Sequence, residues 1–370
     1  MTGGCAMNIR TATFRKRQGW EMDNGAISLF LMAGGGHIAR LELKSRPGIN
    51  PLWEPSWKGL EPWQYKPAMA SAYGEKLLAA ISGHNLCLGH FGPASSEETR
   101  LGLGCHGEAP VARWRERRKH VSDAEIRLTC GCGLDIAGMR VERTLSMKRN
   151  ACIVDVTEKV TNMSRKDTPF TMCQHVTFGP PFLEPGVTLF DMPATRGATE
   201  PGSLKRFMRL KRGADFKWPV APGVRGSVNL RTLGRGRISD FSAQLMRPGL
   251  EHAWFSAVHP GMGLLVAYVW RRADYPWVAN WEENRGRDFP PWAGKSLTRG
   301  MEFANSPFPV PLREALSMGR FHGEPTFRLL PARGSLEFRY SIVMAAVDRE
   351  CRGVRSIKPD RGGFAILFEG

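Results

Sequence analysis

The sequence predicts an all-β protein, a large antiparallel β-sandwich with few short helices, on three observations. Short runs of alternating or β-branched residues recur along the 370 residues, and each run is bounded by Gly, Pro, Asn or Asp. Sustained helical periodicity is sparse, and no strand–helix–strand rhythm calls for a parallel sheet.

The runs are 26–31 (AISLFL), 39–43 (ARLEL), 140–145 (RVERTL), 153–160 (IVDVTEKV), 241–246 (FSAQLM), 263–270 (GLLVAYVW) and 336–346 (LEFRYSIVMAA). Segments 73–81 (YGEKLLAAI) and 311–318 (PLREALSM) read as short helical insertions, the second opened by a proline suited to a first helical turn. The tracts 53–67 (WEPSWKGLEPWQYKP) and 182–222 are too irregular for strands and read as long rim loops, where function commonly resides. No repeat period and no composition shift marks a linker, so one domain over 1–370, with its core at about 26–346, is expected.

Lys and Arg number 52 against 35 Asp and Glu, a formal net charge of +17. The basic residues gather at 113–119 (RWRERRK), 205–212 (KRFMRLKR) and 225–237. Neither a basic recognition helix nor an aromatic-rich nucleic-acid motif accompanies them, which argues against nucleic acid as the partner. The eight cysteines form no Cys-x-x-Cys pair, so reduced thiols and no cofactor are expected. The N-terminus lacks an apolar signal core and no run approaches roughly 18 apolar residues, which predicts a cytoplasmic protein without membrane contact.

Four segments place His, a carboxylate or an amide beside Gly or Pro: His84-Asn85 in ISGHNLCLGHFG, His106-Gly107-Glu108 in LGCHGEAPVARW, Gln174-His175 in FTMCQHVTFGPPF, and Glu302 in RGMEFANSPFP. With a period of two, Cys173, His175 and Thr177 share one strand face while Met172, Gln174, Val176 and Phe178 share the other. Each residue also has a structural reading: His175 as a packed strand histidine, Glu302 as a solvent-facing strand residue, Asp240 as a turn cap. His106 with His84, His90 or His175 invites a metal reading, but the spacing matches no standard site and no metal is expected. The Gly34–Gly36 run precedes a strand and lacks the Lys-Ser/Thr of a phosphate loop, so it reads as a hairpin turn.

The order of these segments resembles that of aldose 1-epimerases, the galactose mutarotases, over roughly residues 26–346. LGCHGEAPVARW is similar to the family's early "HGG" stretch with its substrate-binding His. CQHVTFGPPF resembles the "NH.YFNL" strand that carries the catalytic acid His, and it follows a strand pair joined near Asn162. SDFSAQL with Asp240 loosely resembles a "D..F.L" element. AVHPGMGLLVAYVW is similar to the family's later hairpin, and Glu302 falls where the catalytic base follows. FRLLPARGSLEFRYSIVM resembles the closing strand pair. The resemblance implies a galactose mutarotase-like supersandwich and a small carbohydrate as ligand. It implies His175 as general acid, Glu302 as general base, and His106, Asp240, His84, Asn85, Glu108 and Trp281 around the sugar. Trp277 or Phe178 offer further apolar walls. The chain departs from the pattern where a family Arg binds hydroxyls, since His84 and Asn85 stand there. Basic residues of 285–296 (RGRDFPPWAGKS) could meet an acidic or phosphorylated sugar. Mutarotation, plain carbohydrate binding and a lyase-type sugar reaction all remain compatible with these residues.

Overall fold

The computed structural model describes residues 7–202 and 206–370, and two large antiparallel sheets dominate it. The twelve-stranded sheet runs Asn8–Phe14, Arg17–Asp23, Ile27–Met32, Ile38–Leu43, His84–Gly89, Thr168–Phe178, Leu297–Ala304, Trp277–Asn284, Ile238–Met246, Ala194–Thr199, Asp215–Phe216, and Arg328–Leu330 adds to the end of Thr168–Phe178. The eight-stranded sheet runs Leu189–Asp191, His252–His259, Leu264–Arg271, Ser335–Ala346, Ile153–Asn162, Met139–Lys148, Glu125–Leu134, Arg115–Val121.

All seven predicted runs are strands of these sheets. Gly34–Gly36 sits in the turn between Ile27–Met32 and Ile38–Leu43, as a hairpin. The helical insertions form Ala70–Tyr73, Lys76–Ala80 and Leu312–Met318. Two expectations need correction. Strands begin at Asn8 and reach Phe368, beyond 26–346 at both ends. The tract 182–222 is not all loop, because Ala194–Thr199 pairs with Ile238–Met246 and extends the larger sheet. Its Gly197 and bulged register disguise the alternation that marks a strand.

The main core lies between the sheets. From the larger sheet it receives Leu86, Leu88, Met172, Val176, Phe178, Met301 and Phe303; the smaller sheet answers with Leu128, Val141, Leu145, Val156, Tyr268 and Ile342. Phe303 stacks on Trp270 with centroids 4.4 Å apart and meets Tyr275 edge-on at 5.2 Å, geometry that adds to its area burial. A polar chain crosses this apolar layer. Arg143 Nε donates to Glu158 at 2.7 Å, Gln174 Nε2 donates to the other Glu158 oxygen at 2.5 Å, and Gln174 Oε1 meets His84 Nε2 at 3.0 Å. All four side chains are buried, so the charges are stable there only because they are paired and hydrogen-bonded.

Truncating the central ring tests this layer. Phe303→Ala should lower unfolding free energy by about 3–5 kcal/mol in a denaturant titration, and a loss below about 1 kcal/mol would contradict its place in the core.

Candidate functional site

The other face of the larger sheet carries a different set of residues. His175 is the register partner of Asn85 on one side and of Glu302 on the other, and Glu302 in turn pairs with Ala279. Antiparallel pairing directs register partners to one face, so Asn85, His175 and Glu302 form a polar row with Ala279 as a low floor beside it. The next row holds Thr177, Gly300, Trp281 and Phe241. Alternation then sends Gln174, Val176, Met301 and Phe303 to the inter-sheet core. These central strands are buried on both faces.

Loops roof this row and enclose a cavity of about 390 Å³. Its floor is His175 and Glu302; His106, Trp281, Trp292 and Phe91 form walls, and Glu75, Leu77 and Leu78 come from the helical insertion. His175 Nε2 lies 3.3 Å from Glu302 Oε1, and His175 Nδ1 meets Thr177 Oγ1 at 3.1 Å. The Glu302 Oε1 contact is not aligned as a hydrogen bond, so this buried oxygen has no hydrogen-bond partner; neither has Trp292 Nε1 on the wall nor Asn85 Nδ2 beside the floor. Buried polar atoms without protein partners, converging on one cavity, define a place for a polar ligand.

His106 enters from a loop held close to the sheet. Gly107 forms a bridge with Leu88, and at its φ of +78° a Cβ would run into the Leu88 carbonyl. His106 itself has φ +67°, and its Nδ1 accepts from the Gly92 N–H at 3.1 Å. A neutral imidazole with Nδ1 so engaged carries its proton on Nε2, leaving that edge a donor. The His106 and His175 rings sit 5.1 Å apart.

Burial sets the protonation states. Desolvation pushes the His175 imidazole down to about 4, and pushes His106 well below its ordinary value, with neighbouring His175 adding to the shift. The same cause raises the Glu302 carboxyl well above the ordinary carboxylate range and raises Glu75. Burial thus works against the charged form of both members of the floor pair.

Sequence reasoning misplaced three residues. His84 pairs with Val176, so it faces the inter-sheet core and bonds Gln174 there. Asp240 precedes the cavity-facing Phe241 and so points away, held by Arg209 N–H at 2.7 Å and Arg209 Nε at 2.8 Å. Glu108 accepts from the N–H groups of Ile136 and Ala137 and fixes that turn. Of the suggested walls, Trp281 lines the cavity; Trp277 packs against Phe321 on the row beyond Glu302, and Phe178 lies in the inter-sheet core. Trp292, within 285–296, is buried and stacks on Trp53 at 5.7 Å.

A guanidinium reaches the site from 285–296, the stretch whose basic residues the sequence set against an acidic or phosphorylated sugar. Arg287 lines the cavity, 4.7 Å over Trp292 and 5.3 Å over Trp281. Glu283 tethers it, taking the Arg287 N–H at 2.8 Å and its Nε at 3.2 Å. Glu75 and Glu200 complete the polar lining; Glu200 comes from the 182–222 tract read as a rim loop, and Glu75 from the helical insertion, where no motif singles either out. Among the described residues no group of three or more His, Cys, Asp or Glu is placed to hold a metal ion, and no helix is long and apolar enough to cross a membrane.

Two large antiparallel sheets packed over one core give the chain the fold of the galactose mutarotase-like β-sandwiches. No family model matches the sequence and no curated protein matches it. Solved structures do share the fold. A candidate aldose 1-epimerase of Klebsiella pneumoniae superposes with a TM-score of 0.66 at 13% identity, covering 92% of this chain and 84% of that one. A galactose mutarotase-like protein of Clostridium acetobutylicum gives 0.62 at 12% identity, covering 92% and 99%. A candidate aldose 1-epimerase of Escherichia coli gives 0.57 at 15% identity, covering 92% and 100%.

The protonation pattern is directly measurable. In ¹⁵N-histidine NMR, His175 should stay neutral at pH 6 and titrate at about 4. A midpoint near the ordinary value of about 6.5 would show a wetter floor than this geometry allows.

Proposed function

We propose that this protein is a mutarotase that interconverts the anomers of an aldose by opening and reclosing its ring, with His175 and Glu302 as the acid–base pair. The observation that carries the reading is the Glu302 carboxylate oxygen, buried, unpartnered and 3.3 Å from His175 Nε2 at the floor of a sugar-sized, aromatic-walled cavity.

The chemistry suits two adjacent groups. The anomeric hydroxyl oxygen and the ring oxygen share one carbon, so the base and the acid that serve them must stand side by side rather than across a cleft. Glu302 as carboxylate takes the anomeric O–H proton; that oxygen becomes the aldehyde carbonyl as the bond from the anomeric carbon to the ring oxygen breaks. His175 as imidazolium gives its Nε2 proton to the departing ring oxygen. The pair is then neutral, which is the form that burial favours, and it accompanies the open-chain sugar. Rotation about the first carbon–carbon bond and the reverse transfers close the ring on either face. One proton circulates, and no net charge enters or leaves the dry site.

The remaining residues position the sugar. Trp281 and Trp292 offer flat apolar faces to its C–H surfaces, and the Nε2–H edge of His106, the Trp292 indole N–H and Arg287 supply donors for hydroxyls or an anionic substituent. Gly300 leaves the space that the Glu302 carboxylate occupies, since a Cβ there would meet Glu302 Oε1.

Three measurements bear on this. Polarimetry or NMR exchange over a panel of aldoses, sugar acids and sugar phosphates should show acceleration that Glu302→Gln and His175→Asn each reduce by about 10²–10⁴-fold. Saturable binding with no acceleration would sink the catalytic part. Gly300→Ala, which only pushes the carboxylate aside, should cost roughly 10–100-fold in kcat with little change in thermal unfolding. The pH profile of kcat/KM should hold its plateau down to about pH 4 and fall below it, when the pair takes up a second proton; the alkaline limb follows loss of the pair's single proton. An acid limb near pH 6.5 would contradict the one-proton pair.

A further inference from the structure

The sugar cavity leaves the chain's excess positive charge unexplained. Part of that charge lies on the outer face of the eight-stranded sheet, which turns away from the core and from the cavity. Arg115–Val121 is the edge strand there, and every residue in it is exposed. Arg118 stands in register with Thr129 and His120 with Arg127. These side chains bound a shallow depression of about 730 Å³; Lys119 borders it, but its register partner is the core residue Leu128, so alternation turns its side chain to the other face of the strand.

The floor of the depression is made of hydroxyls. Thr129 is the register partner of Thr144, and Thr144 of Thr157, so three threonines from adjacent strands form a ladder; Ser146 lies in the next row. Thr129 Oγ1 and Thr144 Oγ1 are 2.9 Å apart. The alternating neighbours Leu128, Leu145 and Val156 are in the core, which holds the ladder flat. No carboxylate lines the depression. Glu125 touches its rim and pairs with Arg127 at 2.6 Å, whereas among the described residues Arg118, Lys119 and His120 have no ion-pair partner.

Charge on an edge strand also blocks sheet-to-sheet aggregation, and either sign serves that end. Protection of the edge does not call for cations of one sign around a hydroxyl ladder. That combination matches a ligand with acidic groups at intervals and hydroxyls between them. The depression has no aromatic side chain on which bases could stack and no apolar side chain to enter a bilayer.

We propose that this face binds a polysaccharide bearing carboxylate groups, with Arg118 and Arg127 engaging the carboxylates and the threonine ladder engaging sugar hydroxyls. The site stands apart from the His175–Glu302 cavity, and its test does not depend on mutarotase activity.

The test titrates the full chain with polygalacturonate at low and high salt, with neutral dextran and duplex DNA as comparators. Two double variants accompany it. Arg118→Ser/Arg127→Ser alters the depression, and Arg212→Ser/Arg225→Ser removes the same charge from exposed positions elsewhere. The expected result is salt-sensitive binding of polygalacturonate and not dextran, weakened about tenfold or more in the first variant and less than about threefold in the second. Equal weakening in both variants, no effect of the first, or tighter binding of DNA than of polygalacturonate would overturn the proposal. Thermal unfolding of both variants within a few degrees of the parent confirms that the comparison concerns folded protein.

Discussion

The structure depends on one register. Pairing His175 with Asn85 on one side and Glu302 on the other determines which residues face the cavity and which face the second sheet. Because side chains alternate with a period of two, a slip of one residue along Thr168–Phe178 would send His175 into the apolar layer and Gln174 out of it. The slip is opposed from both sides at once. Phe303 and Trp270 need their stack, and Gln174 needs the buried Glu158 and His84. The packing that stabilises the sandwich is therefore the same packing that sets His175 beside Glu302.

Burial on both faces has a chemical result as well. On a surface strand a Glu would be charged at neutral pH and a His would titrate near its ordinary value of about 6.5. Enclosed by Trp281, Trp292 and the helical insertion, the pair loses that solvation, and burial works against the charged form of each group. Arg287 shares this enclosure, since Glu283 and two indole rings hold it while its guanidinium faces the cavity.

The sheets were legible in the sequence because alternation is local: each of the seven runs is a strand. The first and last hairpins and Ala194–Thr199 escaped because short, polar or glycine-containing strands alternate weakly. For the site, the face assignment of His175 followed from period two, and the same rule could have rejected His84. Adjacent residues on a strand cannot share a face, so Asn85 beside His175 excludes His84 from the row; likewise the cavity-facing Phe241 excludes Asp240. Glu302 was reachable only through chain order, since its partnership with His175 spans 127 residues (302 − 175 = 127). Arg287, Glu75 and Glu200 lie on loops whose convergence depends on the closed sheet, and no local pattern records it.

The roof over the His175–Glu302 row comes from separate stretches of chain, near residues 75–81, 91–93, 105–106 and 287–292, and none of them supplies a strand to the row itself. Each stretch can lengthen or change without disturbing the others or the strand pairing beneath. Selection can then alter what enters the chamber while leaving the His–Glu floor intact. Divergence in such a chain would fall first on the covering loops, and the residues that outlast it would be the ones fixed by strand pairing.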